Sequence, residues 1–464
     1  MNVFQNIEKF SSNIAAITED SDKITYKELL SYSKKISKKI SNNSLVLIIC
    51  INSKEFLQGY VGCTRAEKPM MFVDSEITEI AFKKLLSQYR PGYLYIPKNK
   101  NKLSNNFTRI FNNGIYALYK TNFNNIKLNK DLSLLLSTSG STGSAKYVKL
   151  SYKNISSNAI AISKYLKISY KDRSITTMKA NYTFGLSIIN SHLIKGASII
   201  LTQKTILDKK FWNLFKKNKP TTFSGVSFIF EILKKLNFEK MNLPSLRYIT
   251  HAGGKLDNYL QKEFIKMCKK KRIKFFSMYG QTEATSRMSY VPWNKAITKL
   301  GSIGIPIPGG KFSLEDSKHK IINTNDKIGE LIYKGDNVFI GYAENYKDLV
   351  KVSDKNKILH TGDIAKKDKD GFYYIIGRKK RFIKLYGNRI NLDEIEDLIK
   401  LNGYECACNG KDECINIYLV KTGIEKKVIN LITKHMNISK RYINFKIIKN
   451  IPRTHSGKIR YNIL

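Results

Sequence analysis

Short apolar segments alternate with longer amphipathic segments along this chain, and no other feature constrains the fold as strongly. The predicted strands lie at residues 24–26, 45–51, 132–136, 198–201, 221–223 and 247–250, and the predicted helices at 27–30, 77–88, 154–166, 228–236 and 257–270. Strands and helices that alternate in this way fold into parallel sheets with helices packed on their faces. The pattern therefore predicts an α/β protein.

The pattern changes after about residue 300. Residues 300–376 contain short strand-like segments separated by glycine and proline, which is typical of a small β-rich subdomain. Residues 382–464 form a small α+β pattern with a helix predicted at 392–401. A chain of 464 residues exceeds what a single core usually organises. We therefore predict a large N-terminal domain of parallel-rich sheets, flanking helices and the β-rich subdomain at 1–379, and a small mobile α+β C-terminal domain at 380–464.

A segment rich in glycine and hydroxyl groups follows the strand predicted at 132–136. It consists of Ser139, Gly140, Ser141, Thr142 and Gly143, with Lys146 close behind. Glycines let backbone N–H groups approach an anion, while the hydroxyls add donors and the lysine adds charge. The spacing differs from that of the P-loop of kinases and ATPases. The segment predicts a phosphate-binding loop, although a flexible surface turn remains open from this loop alone.

The net charge of +44 raises the alternative of a nucleic-acid-binding protein. The basic residues are dispersed, however, and no nucleic-acid-binding motif accompanies them, which favours a solvated basic surface and no nucleic acid partner. Such a surface would attract anionic ligands. The N-terminus lacks a basic segment followed by an apolar run, and the apolar run at 45–51 is too short to span a bilayer. We expect a cytoplasmic protein with reduced cysteines and no membrane span.

Eight short motifs occur in a fixed order and together resemble the adenylate-forming enzyme superfamily, which includes acyl-CoA synthetases, peptide-synthetase adenylation domains and luciferase. They are Ile24-Thr25-Tyr26-Lys27-Glu28-Leu29, the segment 139–146, Ala252-Gly253-Gly254-Lys255-Leu256, Tyr279-Gly280-Gln281-Thr282-Glu283, Gly329-Glu330-Leu331 with Gly335 and Gly341-Tyr342, Thr361-Gly362-Asp363, Gly377-Arg378 with Lys384 and Gly387, and Pro452-Arg453-Thr454 with Ser456-Gly457-Lys458. The resemblance covers nearly the whole chain.

The resemblance implies that ATP and Mg²⁺ are bound by residues spread along the chain. The phosphates would contact the segment 139–143 and Lys146, and the adenine would lie along Gly253, Gly254 and Tyr279. Thr282 would donate to the α-phosphate and Glu283 would hold Mg²⁺, an ion that prefers carboxylate oxygens. Asp363 and Arg378 would contact the ribose, and Lys458 would bridge the acid and the α-phosphate as a catalytic cation.

The resemblance also implies an acid pocket and a site of acyl transfer. The segment at 181–187 aligns with the acid-pocket motif, with Tyr182 and Gly185 at pocket positions. Amino-acid-activating relatives carry an aspartate at the position of Gly185, so a standard α-amino acid is disfavoured here. Lys380 would be the hinge of the C-terminal domain, and Gly387 would let a pantetheine arm pass close to the backbone.

The sequence therefore predicts an AMP-forming acid–thiol ligase that activates a small carboxylic acid with ATP. The acceptor would be the thiol of CoA or of phosphopantetheine on a separate acyl carrier protein, since no carrier domain follows Lys458. Transfer to an amine or oxygen acceptor remains an alternative within the superfamily. Nucleic-acid binding remains the alternative from another class.

Overall fold

We describe the protein from a computed structural model, which covers residues 2–123, 126–137, 146–351, 357–385, 388–436, 438–454 and 457–464. The helices in these ranges are α1 (Tyr26–Ser37), α2 (Lys54–Arg65), α3 (Glu79–Tyr89), α4 (Tyr152–Tyr165), α5 (Thr183–Leu193), α6 (Lys209–Asn218), α7 (Ser227–Lys235), α8 (Asn258–Lys270), α9 (Leu392–Leu401) and α10 (Glu425–Met436).

The strands follow in the same numbering. They are β1 (Ile14–Ile17), β2 (Lys23–Thr25), β3 (Val46–Cys50), β4 (Met70–Asp74), β5 (Tyr93–Pro97), β6 (Thr108–Asn113), β7 (Tyr116–Lys120), β8 (Leu132–Ser137), β9 (Tyr147–Ser151), β10 (Arg173–Ile175), β11 (Ser198–Ile200), β12 (Thr222–Gly225), β13 (Tyr248–His251), β14 (Lys274–Tyr279), β15 (Ser289–Tyr290), β16 (Ile305–Pro306), β17 (Gly310–Glu315), β18 (Ile328–Gly335), β19 (Tyr342–Ala343), β20 (Ile358–Lys367), β21 (Tyr373–Arg378), β22 (Phe382–Leu385), β23 (Asn388–Asn391), β24 (Cys406–Lys411), β25 (Cys414–Leu419) and β26 (Ile443–Ile447).

The chain forms two compact units. The large unit comprises Met1–Phe312 and Tyr333–Leu359, and the small unit comprises Ser313–Ile332 and His360–Leu464. These units are defined by packing, whereas the boundary at Lys380 is a prediction about where the chain pivots, and it stays a prediction.

Two sheets organise the large unit. One has the strand order β16-β15-β14-β13-β12-β10-β11-β1-β2 and the other β19-β9-β8-β4-β3-β5-β7-β6. In the first sheet, neighbouring strands are parallel along the order β1-β11-β10-β12-β13-β14. In the second sheet, they are parallel along the order β8-β4-β3-β5. Antiparallel strands complete both sheets at their edges. The predicted α/β class is confirmed, with sheets that are mixed rather than wholly parallel.

The predicted elements form for the expected physical reasons. Every residue of β3 is buried, which matches the uninterrupted apolar run that predicted it. Helix α1 begins with a capping box in which Thr25 and Glu28 satisfy each other's backbone N–H groups. Helices α3, α4, α7 and α8 lie within two residues of their predicted bounds, and α9 has the predicted bounds.

The small unit contains most of a sheet of order β17-β18-β20-β21, the hairpin of β22 and β23, and the three-stranded sheet β24-β25-β26. Helices α9 and α10 contribute to a core that includes Ile395, Val428, Cys406 and Cys408. The two cysteines lie on β24 and are fully buried. Among the residues that the structure describes, no helix is both long enough and apolar enough to cross a membrane.

Candidate functional site

The predicted phosphate-binding loop begins and ends at paired strands. Strand β8 ends at Ser137 and β9 begins at Tyr147, and these two residues are antiparallel partners. The predicted loop residues Ser139, Gly140, Ser141, Thr142 and Gly143 lie outside the described residues. Lys146 is described and half-buried at the start of β9. The pairing fixes the position from which Lys146 projects.

Lys146, Tyr342 and Glu283 form a contiguous cluster, which we call the Lys-Tyr-Glu cluster. The Nζ atom of Lys146 lies 3.9 Å from the centroid of the Tyr342 ring, and the Tyr342 hydroxyl donates a 3.0 Å hydrogen bond to Oε1 of Glu283. Tyr342 lies on β19, which pairs with β9 opposite Val148. Burial and the Glu283 carboxylate raise the pKa of Tyr342 above its ordinary value, so its hydroxyl stays protonated as a donor. Three separate motifs therefore meet at one point.

Hydrogen bonds with Asn337 hold the turn that carries Thr282 and Glu283. The Thr285 hydroxyl donates to the carbonyl of Asn337 at 2.7 Å, and the Asn337 amide donates to the carbonyl of Ala284 at 2.8 Å. Thr285 has a φ of +57°, in the left-handed region that a β-branched residue seldom adopts. A Cβ on Gly280 would lie 1.7 Å from the Ser286 carbonyl oxygen, so the turn requires glycine there. These contacts fix the backbone around Glu283, the predicted Mg²⁺ ligand.

The segment predicted to flank the adenine follows β13. Gly253 has a φ of +92°, and a Cβ placed on it would meet the Tyr182 hydroxyl at 2.5 Å. Tyr182, which is predicted to line the acid pocket, therefore lies directly against the segment predicted to flank the adenine. Burial raises the pKa of Tyr182 to about 12, so it is a neutral phenol at physiological pH. Tyr279 ends β14, half-buried, with its hydroxyl accepting from the Gln281 amide at 3.3 Å.

Gly185 lies in the first turn of α5, and its lack of a side chain has a packing reason. A Cβ at this position would meet the carbonyl oxygen of Lys179 at 2.4 Å. The close approach of α5 to the preceding loop therefore requires glycine, independently of which acid is bound.

In the small unit the two predicted ribose residues contact each other. Asp363 and Arg378 are partners across β20 and β21, and Nε of Arg378 donates to Oδ1 of Asp363 at 3.1 Å. The Asp363 side chain is 3% exposed and the Arg378 side chain is 63% exposed. The arrangement presents a fixed carboxylate beside a guanidinium that solvent and ligands can reach.

Lys458 follows a turn in which the Gly457 N–H donates to the Thr454 carbonyl at 2.8 Å. Its own N–H donates to the Thr454 hydroxyl at 3.2 Å, which anchors the backbone of this predicted catalytic residue. Lys380 lies in a short 3₁₀ helix after β21. Gly387, the predicted transfer residue, lies outside the described residues.

The residue next to the predicted hinge is tied into the core of the small unit. The Arg381 guanidinium donates to Glu396 and to Asp393 at 2.7 Å each, and it stacks 4.0 Å from the Tyr461 ring centroid. The Tyr461 hydroxyl donates to Glu396 at 3.1 Å. This links the segment after Lys380 to the segment after Lys458 within one unit.

Tyr342 is the site residue that motif reasoning left without a role. The Gly341-Tyr342 pair was part of the recognised pattern, but a tyrosine next to a glycine carries no spacing signal for a partner 59 residues away. Only the pairing of β19 with β9 brings it between Lys146 and Glu283.

Comparison with known proteins assigns the family. The AMP-binding enzyme family matches residues 3–343. A 2-succinylbenzoate–CoA ligase of Bacillus cereus is 29% identical over 272 residues, which span 58% of this chain and 54% of that protein. The oxalate–CoA ligase of Saccharomyces cerevisiae is 23% identical, with 99% of this chain and 96% of that protein covered.

Solved structures give the same fold. O-succinylbenzoate coenzyme A synthetase (MenE) from Bacillus subtilis, in complex with AMP, superposes with a TM-score of 0.81 at 21% identity, over 100% of this chain and 98% of that one. The same enzyme in complex with ATP and magnesium ion has a TM-score of 0.78 at 20% identity, over 99% and 98% of the two chains. The fold predicted from the motifs is confirmed. Because the family match covers well over half of its length, this chain belongs to the AMP-binding enzyme family.

Proposed function

We propose that this protein is an AMP-forming acid–thiol ligase that activates a small carboxylic acid with ATP and transfers the acyl group to a thiol. The observation that carries the proposal is the Lys-Tyr-Glu cluster, in which a cation from the phosphate-loop segment and a carboxylate suited to Mg²⁺ lie on either side of one tyrosine. A cation suits the phosphates of ATP, and a carboxylate suits the Mg²⁺ ion that accompanies them. The relatives named above as CoA ligases support the same reaction.

In the first half-reaction a carboxylate oxygen attacks the α-phosphorus of ATP, the α–β phosphoanhydride bond breaks, and pyrophosphate leaves. Both reactants are anions, so cations must offset their repulsion. Lys458 would neutralise charge on the acid and the α-phosphate, Lys146 would neutralise the phosphates, and Thr282 would donate to the α-phosphate. The ribose would be held by Asp363 and Arg378, which already form a pair at 3.1 Å.

Glu283 fits the role of a Mg²⁺ ligand. Its carboxylate lies on a fixed turn, is half-buried, and has one oxygen oriented by the Tyr342 hydroxyl. Glu283 would hold the ion through a carboxylate oxygen, the type of ligand that Mg²⁺ prefers. The ion would supply charge neutralisation at the departing pyrophosphate.

In the second half-reaction the thiol sulfur attacks the acyl carbonyl, the mixed anhydride breaks, and AMP leaves. We propose that residues 380–464 reorient between the half-reactions about Lys380, and that Gly387 lets the pantetheine arm pass. CoA is the acceptor that the named relatives support, and an acyl carrier protein is the second candidate. The net charge of +44 suits the phosphates of CoA or an acidic carrier.

We also propose a cytoplasmic location, because ATP and CoA are supplied there. The six cysteines are free thiols, and such thiols suit a reducing compartment.

The proposal is tested with the purified chain, Mg²⁺, ATP and a panel of carboxylic acids, by exchange of labelled pyrophosphate into ATP. Acids that support exchange are then incubated with CoA or with a pantetheinylated carrier protein, and the products are identified by mass spectrometry. We expect acid-dependent exchange and a thioester with one of the two thiols. Exchange without any thioester would instead support an amine or oxygen acceptor, and no exchange with any acid would contradict the proposal.

A further inference from the structure

Arg287 is a buried cation to which the described residues offer no carboxylate partner. Its relative exposure is 1%, and it is among the largest fully buried side chains of the protein. Across the described residues, no aspartate or glutamate forms an ion pair with it. Burying a guanidinium without a counter-charge is costly, and proteins normally compensate it with a carboxylate.

Other arginines of this chain show that compensation. Arg247 donates to both carboxylate oxygens of Asp172, at 3.0 and 2.8 Å. Arg381 donates to Glu396 and Asp393 at 2.7 Å each. Arg287 therefore differs from Arg247 and Arg381, which are both paired with carboxylates.

The contacts of Arg287 are neutral. Both hydrogen bonds of the guanidinium come from Nη1, to the Tyr165 hydroxyl at 3.1 Å and to the Met278 sulfur at 2.7 Å, and Nε is buried with no hydrogen-bond partner. The Cζ atom lies 4.4 Å from the centroid of the Phe184 ring. A sulfur is a weak acceptor and a ring face is a weak anion substitute, so the cation keeps unused capacity for an oxyanion.

Hydrogen bonds fix the backbone of Arg287 but leave its guanidinium able to bind an oxyanion. The amides of Asn158 and Asn337 donate to its carbonyl at 2.7 and 3.1 Å. Tyr165, which accepts from Nη1, also donates to the Met278 sulfur at 3.0 Å and stacks on Tyr290 at 4.1 Å. Both the backbone of Arg287 and the tyrosine that accepts its hydrogen bond are therefore fixed in position.

Arg287 lies between the acid-pocket segment and the nucleotide segment. Phe184, whose ring it stacks on, belongs to the acid-pocket segment, and Met278 immediately precedes Tyr279. Tyr182 touches Phe184 at a centroid distance of 6.5 Å and also lies against Gly253. An acid bound along Tyr182 with its reacting carboxylate at the nucleotide would extend toward Arg287.

We infer that Arg287 is a specificity-determining residue that binds a second carboxylate on the acid substrate, so that the substrate class is a dicarboxylic acid. This inference rests on the proposed function and names the acid that the reaction uses. One carboxylate reacts at the α-phosphate, while the other accepts hydrogen bonds from the guanidinium and compensates its charge. A site built to pair with a charged group discriminates strongly against analogues that lack it.

The experiment compares acids of equal chain length with one or two carboxylates, such as butanoate with succinate and pentanoate with glutarate, in the pyrophosphate-exchange assay. We expect kcat/KM to be at least about 100-fold higher for the better diacid than for its monoacid. Arg287→Met should lower kcat/KM for the diacid by about 100-fold and change that for the monoacid by less than about threefold, while the KM for ATP stays constant. Arg287→Lys should retain part of the preference for the diacid.

A second readout separates binding from structure. Replacing a buried charge with an apolar residue of similar size is often neutral or stabilising, so Arg287→Met should keep or raise the melting temperature. The matched control Arg247→Met leaves the buried carboxylate of Asp172 without its cation, so it should lower the melting temperature. The diacid should raise the melting temperature of the wild-type protein and not that of Arg287→Met.

The outcomes distinguish this inference from the proposed function. Exchange that is as efficient with the monoacids as with the diacids, and that Arg287→Met leaves unchanged for both, would keep the ligase and overturn the dicarboxylate inference. Equal loss for both acids, or destabilisation as large as that of Arg247→Met, would make Arg287 a structural residue and also overturn it. Diacid stabilisation that depends on Arg287, without exchange for any acid, would support the binding site and contradict the ligase. Neither stabilisation nor exchange would overturn both.

Discussion

Replacing Tyr342 with phenylalanine tests the Lys-Tyr-Glu cluster with the smallest available perturbation. Tyr342→Phe removes the hydroxyl that donates to Oε1 of Glu283 at 3.0 Å and keeps the ring that faces Lys146 at 3.9 Å. Glu283 would lose the group that orients its carboxylate toward Mg²⁺, while the position of Lys146 should change little.

The expected change in the KM for MgATP follows from the geometry of the hydrogen bond between Tyr342 and Glu283. A hydrogen bond to a charged group contributes about 1.5–3 kcal/mol when buried. Tyr342 is 37% exposed, so water replaces part of the lost interaction and about 1 kcal/mol remains. That free energy corresponds to a roughly fivefold increase in the KM for MgATP. Tyr342→Ala would also remove the contact between the cation and the ring, which adds about 0.5–1 kcal/mol and raises the total effect to roughly tenfold or more.

The assay is pyrophosphate exchange at several concentrations of free Mg²⁺, with the wild-type protein, Tyr342→Phe, Glu283→Gln and the double variant. The effects of the two single substitutions should not add, because they remove the same interaction. Tyr346→Phe is a matched control in the same part of the chain, since the Tyr346 ring faces Arg90 instead. Full additivity, or a KM for Tyr342→Phe equal to that of the control, would refute the role assigned to the cluster.

Lys458→Ala should lower pyrophosphate exchange by about 100-fold and leave thioester formation from preformed acyl-adenylate nearly unchanged, because its charge serves only the first half-reaction; equal losses in both assays would contradict the two-step account. Gly280→Ala should lower the free energy of unfolding by more than about 2 kcal/mol in urea denaturation, because the new Cβ would lie 1.7 Å from the Ser286 carbonyl oxygen, and unchanged stability would contradict the structure of the turn. Burial lowers the pKa of His251 to about 3, so between pH 6.5 and 3 the unfolded chain binds more protons than the folded one and stability falls as the pH falls. Urea denaturation at pH 7 and pH 5 should show a loss on the order of 2 kcal/mol from this residue, and His251→Gln should remove that share; an unchanged difference between the two pH values would show that His251 titrates normally.

Local sequence patterns predicted several strands of the large sheets, such as β3, β8, β12 and β13, and several of the helices. The apolar run at 45–51 predicted a buried strand, and β3 is buried throughout. The amphipathic period that predicted the helix at 392–401 reflects one face packed on the core of the small unit, with Ile395 and Ile399 fully buried. In both cases the burial that stabilises the element is visible in the local sequence, as an uninterrupted apolar run for β3 and as an amphipathic period for α9.

The contacts of the candidate site were less accessible to such reasoning. Motif order located Lys146 and Glu283 but gave no role to Tyr342, because the contact depends on β19 pairing with β9 across almost two hundred residues. Arg287 lies only four positions after Glu283, yet its burial, with no carboxylate partner among the described residues, is a property of the packing around Phe184 and Met278. The charge of a residue can be read from the sequence, but its contact partners are determined by the tertiary fold.

The most direct test of the central claim uses an acid substrate whose carboxylate is labelled with ¹⁸O. The labelled acid, ATP, Mg²⁺ and CoA are incubated with the purified chain, and the AMP released is analysed by mass spectrometry. If a carboxylate oxygen attacks the α-phosphorus and the thiol then attacks the acyl carbonyl, each AMP carries one labelled oxygen. Unlabelled AMP, or label in orthophosphate, would contradict an acyl-adenylate intermediate.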